Sequence, residues 1–164
     1  MKDFDLCDLP DPLERLPEIL NENIAGTQST IHGDLNLENV LVGPGEFVWL
    51  IDFAQTRDGH TLFDFAHLGA EIIGHVLSPQ LSPAEYLQLL KGSPITTHAA
   101  LHSLLATLET IALRCLFNPA QPREWRLAFA LSCLGALKFT NLTDRGKNLL
   151  YLTAAYQLSV TGNQ

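Results

Sequence analysis

The alternation of apolar and polar residues predicts a mostly helical chain with one short β-hairpin near its beginning. From residue 62 onward, apolar side chains recur at spacings of three and four, the period of a helix with one buried face. Before that point, β-branched and aromatic residues cluster at 39–42 (NVLV) and 47–51 (FVWLI), on either side of the turn sequence GPGE. The pattern therefore predicts a β-hairpin inserted near the start of an α-helical bundle.

Helix-capping residues mark where several of the helices begin. Asp11 followed by Pro12 predicts a first helix to about residue 21, which Pro17 should kink or restart. The sequence SPAE at 82–85 is a capping box with proline in the first turn. Further helices are predicted over 62–77, 101–115, 122–139 and 144–160.

These elements are predicted to form a single domain over 1–164, in three parts. Residues 1–30 supply a helix and a loop, 31–56 hold the hairpin and the polar motifs beside it, and 57–164 form the helical bundle. With 46% hydrophobic and only 17% charged residues, the composition is that of a globular protein. A chain of this length can bury most of its apolar surface.

The chain is acidic, with a formal net charge of -8 at pH 7. Nucleic-acid binding needs clustered Lys and Arg to neutralise phosphates, so this charge argues against a nucleic-acid partner. The same acidity would suit a cationic small-molecule substrate or a bound metal ion.

The sequence also predicts a cytoplasmic protein with no membrane association. Its three cysteines are odd in number and have no C-x-x-C spacing, which fits a reducing compartment and argues against a zinc site. The acidic N-terminus lacks the apolar segment of a signal peptide. The longest apolar run, 127–139, is too short to cross a bilayer.

Three polar residues flank the predicted hairpin in an arrangement suited to chemistry. The far ends of the two hairpin strands meet, so Asn39 and Asp52 should be neighbours. An amide oxygen and a carboxylate are hard donors of the kind that Mg²⁺ uses, with phosphate and water completing its shell. Asp34 lies five residues before Asn39, beside such a metal, where it could serve as a general base for a substrate hydroxyl.

Three motifs in this region resemble those of a known family. The family is the aminoglycoside phosphotransferase and choline kinase branch of the protein-kinase-like fold. Its catalytic loop resembles residues 32–39 (HGDLNLEN), and its metal-binding motif resembles residues 51–53 (IDF). The aspartate that braces the catalytic loop in these enzymes resembles Asp64. The sequence of this region also resembles kinase-like domains attached to bacterial signalling and conflict-system NTPases.

The resemblance implies a role for each polar residue. Asp34 would be the catalytic base, and Asn39 and Asp52 would hold Mg²⁺ on the phosphates of ATP. Asn36 would stand near the transferring phosphate, where the family usually has histidine. His32 would pin the loop as a structural residue. The implied function is Mg²⁺- and ATP-dependent phosphoryl transfer to a hydroxyl of a small molecule.

The implied fold is a protein-kinase-like C-terminal lobe that lacks the N-terminal β lobe. Only thirty-one residues precede His32, and they contain no glycine-rich phosphate loop and no lysine-bearing strand. A separate N-terminal lobe or partner domain would then complete the site. The alternative is a non-catalytic, pseudokinase-like signalling or scaffold domain, or a fragment that needs a separate lobe.

Several other histidines lie outside these motifs. His67, Glu71 and His75 share one helix face at spacings of four, which is expected to be a polar face and not a metal site. For His60 two roles stay open: it could bind substrate or phosphate, or it could cap the helix that follows.

Overall fold

The computed structural model of the protein describes residues 9–93 and 98–160; Cys7 and the acidic N-terminal segment lie outside them. The described part is mainly helical with two small antiparallel sheets, which confirms the predicted helical class. The helices are α1 (Pro12–Leu20), α2 (Phe63–Glu71), α3 (Pro83–Leu90), α4 (Ala99–Leu113), α5 (Arg123–Ala136) and α6 (Asp144–Val160). The strands are β1 (Gln28–Ile31), β2 (Val40–Val42), β3 (Val48–Leu50) and β4 (Arg57–His60).

The apolar core lies among α2, α5 and α6, where the helical periodicity places the most buried side chains. Trp125 on α5 is 1% exposed and stacks on Phe129 at a centroid distance of 4.8 Å. On the other side, the buried hydroxyls of Tyr86 and Thr153 lie 2.8 Å apart in a hydrogen bond between α3 and α6. This bond satisfies both polar groups inside the core.

The predicted hairpin is present and is formed by β2 and β3, with Val40 opposite Leu50 and Val42 opposite Val48. Its turn needs residues that tolerate positive φ, and Gly45 (φ 74°) supplies one of them. A second antiparallel pair, β1 with β4, encloses the hairpin in sequence. The outer pair was not predicted, because the sequence of β4, RDGH, has no apolar alternation.

Two helices differ from expectation. Pro17 lies inside α1 without restarting it, and near the end of the helix the Asn21 side chain donates a hydrogen bond to the Pro17 carbonyl oxygen (2.8 Å). The predicted helix over 62–77 is α-helical only to Glu71 and continues as a π-helical turn, Ile72–Leu77. The capping box at the start of α3 is confirmed, with both of its reciprocal bonds formed between Ser82 and Glu85.

Within the residues that the structure describes, every helix is too short or too polar to serve as a bilayer span. The cytoplasmic location stays a prediction.

Candidate functional site

The predicted polar residues come together where the loop after β1 meets the segment after β3. The carboxylate of Asp64, in the first turn of α2, accepts hydrogen bonds from the backbone N–H groups of His32 (2.6 Å) and Gly33 (3.0 Å). Charge-assisted bonds of this kind are stronger than neutral ones. Asp64 therefore ties the end of β1 to the helical bundle.

His32 ties the same loop to the hairpin. Its Nε2 lies 2.8 Å from the carbonyl oxygen of Ile51, and a carbonyl can only accept, so Nε2 carries the proton. Nδ1 is buried and has no hydrogen-bond partner among the described residues. The ring also contacts Phe53, with a centroid distance of 4.9 Å. His32 thus lies in a fixed orientation beside Asp52.

Gly33 allows the two segments to approach closely. Its φ is +84°, and a Cβ at this position would lie 2.2 Å from the carbonyl oxygen of Gln55. Any side chain here would both strain the backbone and collide with it. The residue between His32 and Asp34 must therefore be glycine for the loop to close.

Asn39 connects Asp34 to the hairpin. Its buried side chain donates from Nδ2 to the Asp34 carbonyl oxygen (2.8 Å), and its own carbonyl accepts from the Ile51 N–H (3.1 Å). The Asn39 amide oxygen accepts no hydrogen bond from the described residues. That oxygen is the atom left to bind a ligand.

Asn36 is occupied within the loop. Its side-chain oxygen accepts from the N–H groups of Glu38 (3.0 Å) and Asn39 (3.1 Å) and so caps the short 3₁₀ turn Leu37–Asn39. Its Nδ2 lies 3.4 Å from one oxygen of the half-buried Asp34 carboxylate. Asn36 is therefore placed to orient Asp34.

Asp52 follows β3 in a left-handed conformation (φ 59°, ψ 63°). Aspartate tolerates this region better than most residues, and it turns the chain from the strand into a 3₁₀ turn at Phe53–Gln55. The side chain is exposed, and its carboxylate receives no hydrogen bond from residues 9–93 and 98–160. Its oxygens remain available to a cation.

A second polar cluster was not predicted. His60 accepts the Leu62 N–H at Nδ1 (3.3 Å), near the start of α2, and its Nε2 lies 3.1 Å from Glu124. Glu124 is 5% exposed and also accepts from the backbone N–H groups of Phe117 (2.8 Å) and Thr27 (3.3 Å). No sequence signal links residues 60 and 124, because they meet only through the tertiary fold.

On the α2 face predicted to be polar, His75 Nε2 lies 3.9 Å from the Glu71 carboxylate. The described part of the chain has no group of three or more His, Cys, Asp or Glu side chains placed to hold a metal ion. Any cation near Asp52 would thus rely on the mixed set of Asp52, Asn39 and water.

Comparison with known proteins corrects the family prediction. The model of one family, described as ternary complex associated domain 9, matches residues 1–129 of the 164. No curated protein and no solved structure gives a significant match.

The predicted membership in the aminoglycoside phosphotransferase and choline kinase family is therefore wrong, and so is the description of the chain as a kinase or phosphotransferase by family; the comparisons give no evidence of ATP binding. The motifs at 32–39 and 51–53 specify a glycine turn, a side-chain cap and a strand end, which are local features that do not by themselves define a family. Since the match covers more than half of its length, the chain belongs to the ternary complex associated domain 9 family.

Proposed function

We propose that this domain carries out Mg²⁺- and ATP-dependent phosphoryl transfer to a hydroxyl of a small molecule. One observation carries the proposal. The hydrogen bonds from Asn39 to Asp34 and from Ile51 to Asn39 place a half-buried carboxylate, an amide oxygen and an exposed carboxylate at the same end of the hairpin. Groups that could act as an acid or base and groups that could bind a metal ion thus lie in one loop cluster.

The donor set fits Mg²⁺. Asn39 and Asp52 offer hard oxygen atoms that are not used in hydrogen bonds among the described residues. Two protein ligands suffice for Mg²⁺, which usually keeps several waters and phosphate oxygens. When bound, the ion would neutralise charge on the phosphates.

Asp34 would act as the base. The Asn36 amide lies beside its carboxylate and holds it in the loop. Asp34 would take the proton of the acceptor hydroxyl while the acceptor oxygen bonds to the terminal phosphorus and the bond from that phosphorus to ADP breaks. His32 and Asp64 would keep the loop in place without touching the reacting atoms.

The proposal includes the finer fold expectation, an arrangement like the C-terminal lobe of protein kinases, with a separate β-rich lobe completing the nucleotide site. It also includes a cationic acceptor. Residues 16–56 contain six acidic residues and no Lys or Arg, so the chain around the site favours a positive ligand. The acidic residues are Glu18, Glu22, Asp34, Glu38, Glu46 and Asp52.

Calorimetric titration with ATP in the presence of Mg²⁺ tests the proposal first. The wild-type chain should release heat that is lost in Asp52→Asn and retained in Asp34→Asn, whereas only the wild type should transfer labelled phosphate to an acceptor. Asp58→Asn is the matched control, an exposed acid of β4 outside the site. Heat that persists unchanged in Asp52→Asn would exclude the assigned metal site, and transfer by Asp34→Asn would exclude the assigned base.

A second candidate function is assembly without catalysis, as a signalling or scaffold module. The hairpin supports it, because large apolar side chains on both strands are 40–72% exposed, an unusual amount for a monomer's surface. They are Leu41, Val42, Phe47, Val48, Trp49, Leu50 and Ile51. The family's description as ternary complex associated supports a partner, and we assign that partner to the exposed hairpin.

Site-specific photocrosslinking in the native cell tests the assembly candidate. A photoreactive residue at Trp49 should capture one defined protein, while the same residue at Leu20, which is 66% exposed on α1, should not. Equal labelling at both positions, or none at Trp49, would count against a docking role for the hairpin.

A further inference from the structure

A groove that contains no hairpin residue has a mostly apolar surface, although two glutamates, two histidines, a serine and a lysine are also among its lining residues. Its volume is about 490 Å³, and it lies between α5, the end of α1 and the start of α2. Ile19, Phe63, Leu127, Leu131 and Phe139 line it. None of the proposed phosphoryl-transfer residues is among its lining residues. Sites for small organic ligands have this size and this mostly apolar character.

The charged side chains of the groove differ in whether they have a partner. Glu22 at one end is engaged by Arg123 at 2.9 Å. Glu124 is engaged by His60 and by two backbone N–H groups. Lys138, at the other end of α5, has no carboxylate within ion-pair distance among the residues 9–93 and 98–160; its ammonium lies 5.3 Å from the Phe139 ring centroid. Both carboxylates of the lining are thus occupied, and Lys138 is the charged lining side chain left without an ion-pair partner among the described residues.

We infer that the groove binds an amphipathic anion, an alkyl chain with a carboxylate head. The chain would lie along α5 on Leu127 and Leu131, and the head would meet Lys138. The lining residues on α5 run from Glu124 to Ala136, twelve helical positions or about 18 Å at a rise of about 1.5 Å per residue, so the groove accepts an extended chain and not only a compact ring. Burying that chain supplies the affinity, and the head fixes its direction.

Gly135 provides a way to close the groove without disturbing the fold. It lines the groove on α5, and a Cβ built on it meets no atom within 4 Å. A larger side chain at this position would therefore enter the groove itself. Replacing glycine inside a helix also favours the helix, so a Gly135→Leu chain should fold at least as well as the wild type.

The probe is sodium decanoate, titrated calorimetrically below its aggregation concentration at two temperatures, because apolar burial changes the binding enthalpy with temperature. The wild type should bind decanoate, and Gly135→Leu should show a loss of binding of at least tenfold. Lys138→Gln should weaken binding by up to about fivefold, the range for an exposed ion pair. Gly135→Ala, which leaves most of the groove open, is the matched control and should bind like the wild type.

Three results would overturn the inference. Unchanged decanoate affinity in Gly135→Leu would place binding elsewhere. Equal affinity for decanoate and for 1-decanol, with no effect of Lys138→Gln, would remove the anionic head from the recognition. The absence of heat from decanoate at both temperatures would exclude a free alkyl carboxylate as the ligand. Binding of the chain to vesicles that contain anionic lipid would not change that conclusion. None of these outcomes depends on whether Asp34 is a base.

Discussion

Trp125 and Trp49, the two tryptophans of the chain, lie in opposite surroundings. Trp125 is 1% exposed and stacks on Phe129 in the helical bundle, whereas Trp49 is 50% exposed on the hairpin, beside Phe47 at a centroid distance of 6.1 Å. The bundle buries its apolar residues against several helices. The hairpin presents them to solvent on a sheet of only two strands.

The apolar residues of the bundle stabilise the fold by packing, whereas those of the hairpin contribute little packing. An isolated two-stranded hairpin is at best marginally stable in water, so this one depends on its bonds to the loop after β1. Its exposed side chains add little to the free energy of unfolding. Their exposure is the basis of the proposed assembly role.

The largest effect should come from truncating Trp125, with the truncation of Trp49 as its comparison. Trp125→Ala removes a fully buried aromatic side chain and should lower the free energy of unfolding by about 3–5 kcal/mol. Trp49→Ala should cost less than about 1 kcal/mol, because half of its surface already faces water. Urea denaturation followed by circular dichroism measures both values. Similar losses in the two variants would mean that the hairpin belongs to the core.

The next largest effect should come from the link between the two regions. Asp64→Ala leaves the N–H groups of His32 and Gly33 without their acceptor and should cost about 2–3 kcal/mol. Hydrogen exchange should speed up in the loop after β1 more than in α6. Asp58→Ala, on the exposed side of β4, should change neither quantity. Slow exchange retained in the loop would show that Asp64 does not hold it.

A pair of glycine substitutions should have effects of opposite sign. Gly33→Ala adds a Cβ at positive φ against a backbone carbonyl and should destabilise the chain by about 1–3 kcal/mol. Gly135→Ala, in open space within α5, should stabilise it by up to about 1 kcal/mol. Thermal denaturation distinguishes the two. A tolerated alanine at position 33 would contradict the close approach of the loop to Gln55.

The smallest effect should be a pH dependence of the free energy of unfolding, caused by Glu85 in the first turn of α3. Hydrogen bonds from Ser82, first from its side chain and then from its backbone, lower the pKa of Glu85 from its usual 4.5. A lowered pKa in the folded state means that the stabilisation is present above the usual value and is lost as the pH falls through the lowered one. The stability difference between wild type and Glu85→Gln should therefore shrink between neutral and strongly acidic pH. A constant difference would contradict the capping role.

Local signals accounted for most of the helices. The start of α3 follows from Ser82 and Glu85, and α6 occupies the predicted range because caps and helical periodicity act over a few residues. Pro17 does not restart the helix, since α1 continues through it; α1 packs against α6 with Ile19 buried, and tertiary packing outweighs one lost hydrogen bond.

In the candidate site too, the sequence predicts contacts between nearby residues and not those between distant ones. The neighbourhood of Asn39 and Asp52 follows from the hairpin register, and the loop bonds of Asp34 and Asn36 span five residues or fewer. The contact of His60 with Glu124 joins positions far apart in sequence and cannot be derived from local pattern. The motif spacing predicted the structure of the loop but gave the wrong family, because similar turns and caps recur in unrelated proteins.

The nesting of the hairpin inside the β1–β4 pair has a consequence for how the chain folds. Joining Ile31 to Arg57 directly would close a long loop, and the entropic cost of closure rises with loop length. If Val42 and Val48 pair first across the short turn, most of that loop is already ordered when the outer strands meet. Pairing of the hairpin strands therefore lowers the entropic cost of closing the outer pair, and pulsed hydrogen exchange during refolding should show β4 becoming protected no earlier than β3. The Asp34–Asp52 cluster would then be assembled late, at the step that closes the outer pair.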